Sequence, residues 1–153
     1  MEFINRILVV TWLSRHCNNT LEAGISLAQK YKAELTVSHI IDTTWLKGWS
    51  IPMVTVEEEH KRDMEKQRAE LHEIILMGKK KGMTIKELVK EGVPSEVILE
   101  LVKEEKIDLL VLRSSAESRL ERMLVGGSND EIIREMPCSV FLVKQEACTV
   151  SSR

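Results

Sequence analysis

Five short runs of strand length recur along this chain, and between each pair lies a segment of helical character. The runs are Arg6–Thr11 (RILVVT), Leu35–Ile41 (LTVSHII), Thr84–Val89 (TIKELV), Ile107–Leu112 (IDLLVL) and Val140–Val143 (VFLV). Arg6–Thr11, Ile107–Leu112 and Val140–Val143 are near-continuously apolar, as strands buried on both faces are. Thr84–Val89 alternates only weakly and reads as an exposed or edge strand. A β-α-β-α-β-α-β-α-β succession has few ways to bury its apolar surface. It builds a parallel sheet with right-handed crossovers and helices on both faces. In such sheets ligands sit at the carboxyl ends of the strands, where strand order reverses.

The intervening segments carry helix signals. Asn18-Asn19-Thr20 offers cap residues, with Glu22 three positions after Asn19. Leu21, Gly24, Ile25, Ala28 and Tyr31 follow at helical spacing and define one apolar face. Thr43–Thr55 has no period, holds Trp45, Gly48, Trp49, Ser50 and Pro52, and reads as a loop. From Val56 to about Lys81 a long charged helix is expected, with Met64, Leu71, Ile74, Ile75 and Gly78 on one side. Its acidic start and basic end suit the helix dipole, and Gly82 stops it. Gly92-Val93-Pro94 opens a helix with Pro in its first turn, buried through Val97, Ile98, Leu101 and Val102. Ile132, Ile133 and Met136 mark the last helix.

The composition suits one soluble domain: 43% hydrophobic, 30% charged, with 22 basic and 24 acidic residues giving a net charge of −2. No basic field points to nucleic acid. The apolar runs fall well short of the ~20 residues that cross a bilayer. Met1–Ile4 lacks the basic, apolar start of a signal peptide, so a cytoplasmic location is expected. Cys17, Cys138 and Cys148 are odd in number and widely spaced, which argues against a disulfide framework. Residues 1–146 read as one α/β domain and 147–153 as a flexible tail.

The stretch from Leu109 to Lys144, LLVLRSSAESRLERMLVGGSNDEIIREMPCSVFLVK, runs buried strand, Ser/Arg loop, Gly-Gly-Ser, helix and buried strand. That order is a phosphate-binding architecture, because a helix start presents free N–H groups to an anion. Together with LTVSHIID and EGVPSEVILELVKEEKIDLLVL, it resembles the universal stress protein family over nearly the whole chain. The resemblance implies a single-domain, doubly wound, Rossmann-like five-stranded parallel sheet of strand order 3-2-1-4-5. It also implies a homodimer in which the last strand (Val140, Phe141, Leu142, Val143) pairs with its copy, as a bare apolar edge invites.

ATP-binding members of that family resemble Gly-x-x-Gly, nine residues, then Gly-Ser or Gly-Thr, with an Asp after the first strand near the adenine. Carried over, the first glycine is Arg113, the second Ala116, and Gly126 matches; Gly127 stands at the hydroxyl position, with Ser128 one step late. Trp12 stands at the Asp position. Arg113 and Ala116 bring Cβ atoms where close backbone approach is wanted, and an indole cannot share its volume with a base. These departures argue against family-type ATP binding.

The nucleotide or anion site, if rebuilt, consists of Ile40, Arg113, Arg119, Gly126, Gly127, Ser128 and Asn129, with arginine forks replacing lost backbone donors. Equally, Ser128-x-x-Glu131 is a capping box by itself. Trp12, Trp45 and Trp49 line a pocket that stacks on a flat ligand, or plug the old adenine cavity. His39 reads as a core or dimer-proximal residue. His60 and His72 are too far apart on one helix for a zinc pair, and no catalytic motif emerges. The expected function is a non-enzymatic stress-response or regulatory module with a degenerate nucleotide site. Alternatives are a binder of ATP, AMP or another phosphorylated small molecule, a slow ATP hydrolase, and a regulator acting on a protein partner through the Trp45–Trp49 loop.

Overall fold

The computed structural model describes residues 3–12, 18–42, 54–113 and 128–144. Its elements are β1 (Arg6–Trp12), α1 (Asn19–Tyr31), β2 (Glu34–Asp42), α2 (Val54–Lys80), β3 (Ile85–Gly92), α3 (Pro94–Glu104), β4 (Leu109–Arg113), α4 (Ser128–Glu135) and β5 (Ser139–Val143). The five strands form one parallel sheet in the order β3-β2-β1-β4-β5, as expected. Among the described residues no helix is long and apolar enough to cross a membrane.

Alternate strand residues build two cores. Ile7, Val9, Leu35, Val37, Ile85, Leu109 and Val111 pack under Leu21 and Ala28 of α1 and Leu71 and Ile75 of α2. On the other face, Leu8, Val10, Ile40, Leu110 and Leu112 meet Ile98, Leu101 and Val102 of α3 and Ile132 of α4. Burial on both faces is why the β1 and β4 sequences show no alternation.

Four local expectations need correction. The Asn18 side chain makes no cap hydrogen bond; its Oδ1 faces Gln67 Nε2 of α2 at 3.4 Å, a long-range partner displacing the local one. The helix read from Val56 already begins at Val54, inside the segment read as a loop. Cys138, which by sequence begins the last apolar strand as a small buried residue, is half-buried and precedes the strand. Among the described side chains of α4 only Ile132 is buried: Ile133 is 42% exposed and Met136, beyond the helix end with φ of 41°, is 57% exposed. Gly82 ends α2 as expected, with φ of 87° and its N–H donating to the Lys79 carbonyl at 3.0 Å.

Candidate functional site at the carboxyl ends of the strands

Strand order reverses between β1 and β4, and here the two strands part. Their pairing runs Ile7↔Leu109, Leu8↔Leu110, Val9↔Val111 and stops, although β1 continues to Trp12 and β4 to Arg113. Their outer neighbours stay paired to the end, at Trp12↔Ile40 and Arg113↔Val143. This is the switch point of the sheet, and doubly wound sheets take their ligands in the crevice outside the strand ends at such a point.

Trp12 and Arg113 therefore close the two strands that flank this crevice. Ile40 lies beside Trp12 in register, but its side chain is buried in the α3-side core, so what it offers at the strand end is backbone. Ser128 and Asn129 begin α4, and their side chains, like that of Trp12, lie outside the described residues. Arg119, Gly126, Gly127, Trp45 and Trp49 lie outside them too. A shallow polar cavity of about 210 Å³ lined by Arg6, Glu34, Thr36 and Glu104–Ile107 sits at the opposite end of the strands.

A polar chain absent from the sequence expectations lies on the α2 side of the sheet. Thr11, His39 and Glu87 extend the alternate rows that begin with Ile7, Leu35 and Ile85. The His39 ring is fully buried. Its Nδ1 is 2.6 Å from Thr11 Oγ1, and its Nε2 is 3.3 Å from Glu87 Oε2, off the line of a good hydrogen bond. Glu87 in turn accepts from Nδ1 of His72 on α2, at 2.9 Å to Oε1 and 3.2 Å to Oε2. An ionised carboxylate only accepts, so it sets the His39 proton on Nε2 and leaves Nδ1 to accept the Thr11 O–H.

Burial pushes His39 below its ordinary value of 6.5, against the opposing pull of the Glu87 carboxylate at its Nε2. For Glu87, burial raises the carboxyl, but the hydrogen bond from His72 and the close approach of His39 Nε2 outweigh it and hold the group below its usual range. Among the described residues no group of His, Cys, Asp or Glu side chains is arranged to hold a metal ion. The sequence signal for this chain was a histidine and a threonine interrupting otherwise apolar strands; their partners are visible only in register.

The profile of the universal stress protein family matches residues 4–144. The chain is 27% identical to Universal stress protein MJ0531 of Methanocaldococcus jannaschii over 135 residues, covering 82% of this chain and 75% of the relative. In fold it is similar to a universal stress protein solved in complex with cAMP, with TM-score 0.58, 20% identity, and 94% and 98% of the two chains covered. It is similar to the same degree, TM-score 0.58, to a family member from Arabidopsis thaliana with AMP bound, at 16% identity and 97% and 96% coverage. Since the profile spans every described element from β1 to β5, this chain belongs to the universal stress protein family.

Proposed function

We propose that this universal stress protein is a non-enzymatic regulatory module, cytoplasmic and homodimeric, whose crevice has lost the ATP chemistry of its family. One observation carries the reading: the two strands that part at the switch point end in Trp12 and Arg113, where an acidic residue and a glycine would serve a nucleotide. A tryptophan at the adenine position takes the volume of the base, and an arginine at the glycine position keeps the phosphates from the backbone. Titration calorimetry with ATP, AMP and cAMP tests it. The expected result is no binding at micromolar strength. Micromolar ATP binding that disappears in Gly126→Trp overturns it.

A second reading draws on the relatives solved with cAMP and with AMP. In it Arg113, Arg119 and the 126–129 turn hold the phosphate of a mononucleotide, with the Arg forks acting as bidentate anion donors. It predicts AMP binding that weakens at least about tenfold in Arg113→Ala. Phosphate release above a no-protein blank, lost in the same variant, would make the protein a slow hydrolase.

The dimer rests on the contrast between the two sheet edges. The β3 edge carries Lys86, Glu87, Lys90 and Glu91, charges that discourage further pairing. The β5 edge carries Val140, Phe141, Leu142 and Val143, with Phe141 43% and Leu142 46% exposed on opposite faces. A second copy of β5 paired antiparallel would satisfy its open backbone groups and cover both side chains, with exposed Ile133 and Met136 nearby on the chain. A regulatory protein partner reached through Trp45 and Trp49 is the remaining part of the proposal; Trp45→Ala and Trp49→Ala then weaken its capture without lowering thermal stability.

A further inference from the structure

We propose that the Thr11–His39–Glu87–His72 chain is an acid-sensitive latch, which holds the C-terminal half of α2 against the sheet and lets it lift when His39 takes up a proton. The inference is independent of any nucleotide.

The latch is read from position. His39 sits in the middle of the sheet's β3-β2-β1 part, with strands hydrogen-bonded on either side of it. Its ring points to the α2 side, continuing the row of Leu35 and Val37 that packs under α2 and α1. Four groups approach it. Thr11 of β1 bonds Nδ1, and Glu87 of β3 lies at Nε2. Arg68 and His72 lie one turn apart on α2, and both disfavour a positive charge on His39. The other charged groups described on the packed elements are exposed to water: Glu22 and Lys30 of α1, Glu65, Lys66, Glu70 and Glu73 around the middle of α2, and Lys86, Lys90 and Glu91 of β3.

A proton on Nδ1 breaks this arrangement twice. It replaces the acceptor that the Thr11 O–H uses with a donor, so the hydroxyl must turn and find another acceptor. It also places a positive charge on a fully buried ring, balanced by a carboxylate already shared with His72. The least costly relief is to bring water to the ring. Parting the sheet would break β-ladder hydrogen bonds on both sides of β2. Lifting α2 breaks less: the burial of Leu71 and Ile75, the Asn18–Gln67 contact and the His72–Glu87 bond. Sub-global openings of this kind occur in the weakest-held element.

The sign follows from linkage. The closed state binds the His39 proton less tightly than the open state, whose imidazole has its ordinary value near 6.5. The closed form is therefore fully favoured above that value and loses ground as pH falls through it. Between about pH 7.5 and pH 5 the opening equilibrium can rise by up to about thirty-fold, the limit set by an open-state value near 6.5.

Amide hydrogen–deuterium exchange followed by mass spectrometry tests the latch, with rates corrected for the intrinsic effect of pH. Peptides covering residues 64–80 should lose protection by at least about three-fold between those two pH values. Peptides of α3 should not change. His39→Gln should abolish the pH dependence, while His72→Gln should keep it. Equal loss in α2 and α3, or no loss in α2, overturns the proposal, as does a response unaltered by His39→Gln. Should His39→Gln fail to fold, the wild-type His39 ring titration by NMR replaces it. A His39 midpoint at or above that of free histidine would then overturn the latch, and one below it would support it.

Discussion

Gly24 lies on the face of α1 that presses on the centre of the sheet, and replacing it with alanine tests how closely the two are packed. A Cβ built there overlaps Cγ2 of Val9 and lies 3.4 Å from its Cβ and 3.7 Å from its Cγ1. Neither partner can give easily. Val9 is fully buried in the strand between β2 and β4, and a β-branched side chain has few rotamers to move to. In a solvent-exposed helix Gly→Ala would stabilise by about 1 kcal/mol. Here overpacking costs about 3 kcal/mol, the upper end of the usual range, because the overlap is with a fixed group. The net loss is then about 2 kcal/mol, or roughly 4–8 °C in Tm for a chain of this size.

A double-mutant cycle separates packing from helix propensity. Val9→Ala removes the obstructing methyls and alone costs about 2 kcal/mol from lost burial. If the overlap is the cause, Gly24→Ala with Val9→Ala should be more stable than the sum of the single effects by about 2–3 kcal/mol. Urea titration of the four proteins, at fixed concentration because a dimer gains stability by mass action, measures this. A Gly24→Ala protein as stable as wild type, or strictly additive effects, would refute the close approach of α1 to β1.

Other predictions follow from single contacts. Ser38→Ala should be neutral or stabilising by up to about 1 kcal/mol in urea, since among the described residues the fully buried Ser38 Oγ has no hydrogen-bond partner. Asp108→Ala should cost about 1 kcal/mol, because Oδ2 accepts from the backbone N–H groups of Asn5 and Arg6 at 2.9 Å each and ties the start of β1 to β4. Leu142→Glu should yield a folded monomer by sedimentation at about 50 μM; a persistent dimer would place the interface elsewhere. The triple variant Trp12→Asp, Arg113→Gly, Ala116→Gly should gain ATP binding by calorimetry if those three positions closed the site, and no gain would mean that the crevice differs in more than these residues.

The centre of the sheet was legible in the sequence because β1 and β4 are buried on both faces; the equally apolar run of β5, expected to be buried, is instead largely exposed at the sheet edge. Apolar runs such as Ile7–Val10 and Leu109–Leu112 have no solvent side to leave a polar mark, and only a parallel sheet between two helix layers makes that demand. The strand order itself came from family resemblance; the apolar runs imply a parallel sheet, while the order of strands within it follows from which neighbours pair. Asn18 is the N-cap residue of α1, as its place before the helix implies, but its side chain makes no cap bond: a local signature competes with long-range partners, and Gln67 on α2 takes the Asn18 side chain. Ile133 and Met136 show the limit of periodicity. An apolar residue on a helix predicts that something will cover it, without saying whether the cover is this chain or another copy.

The polar chain on the α2 side was hidden for a stricter reason. Thr11 and His39 are 28 residues apart and His72 and Glu87 are 15 apart, so no motif of fixed spacing contains them. What joins them is register: Thr11 stands opposite His39, and Glu87 lies two residues before His39's partner on β3, Val89. Register is a consequence of which faces are apolar, since a slip of one residue would carry His39 to the α3 side and bring Ser38 and Ile40 into its row. The apolar pattern that made the fold readable therefore also assembled a buried hydrogen-bonded chain at the end of the same rows. The hydrogen-bonded chain and the switch point share β1, since Thr11 bonds His39 and the next residue, Trp12, closes the strand.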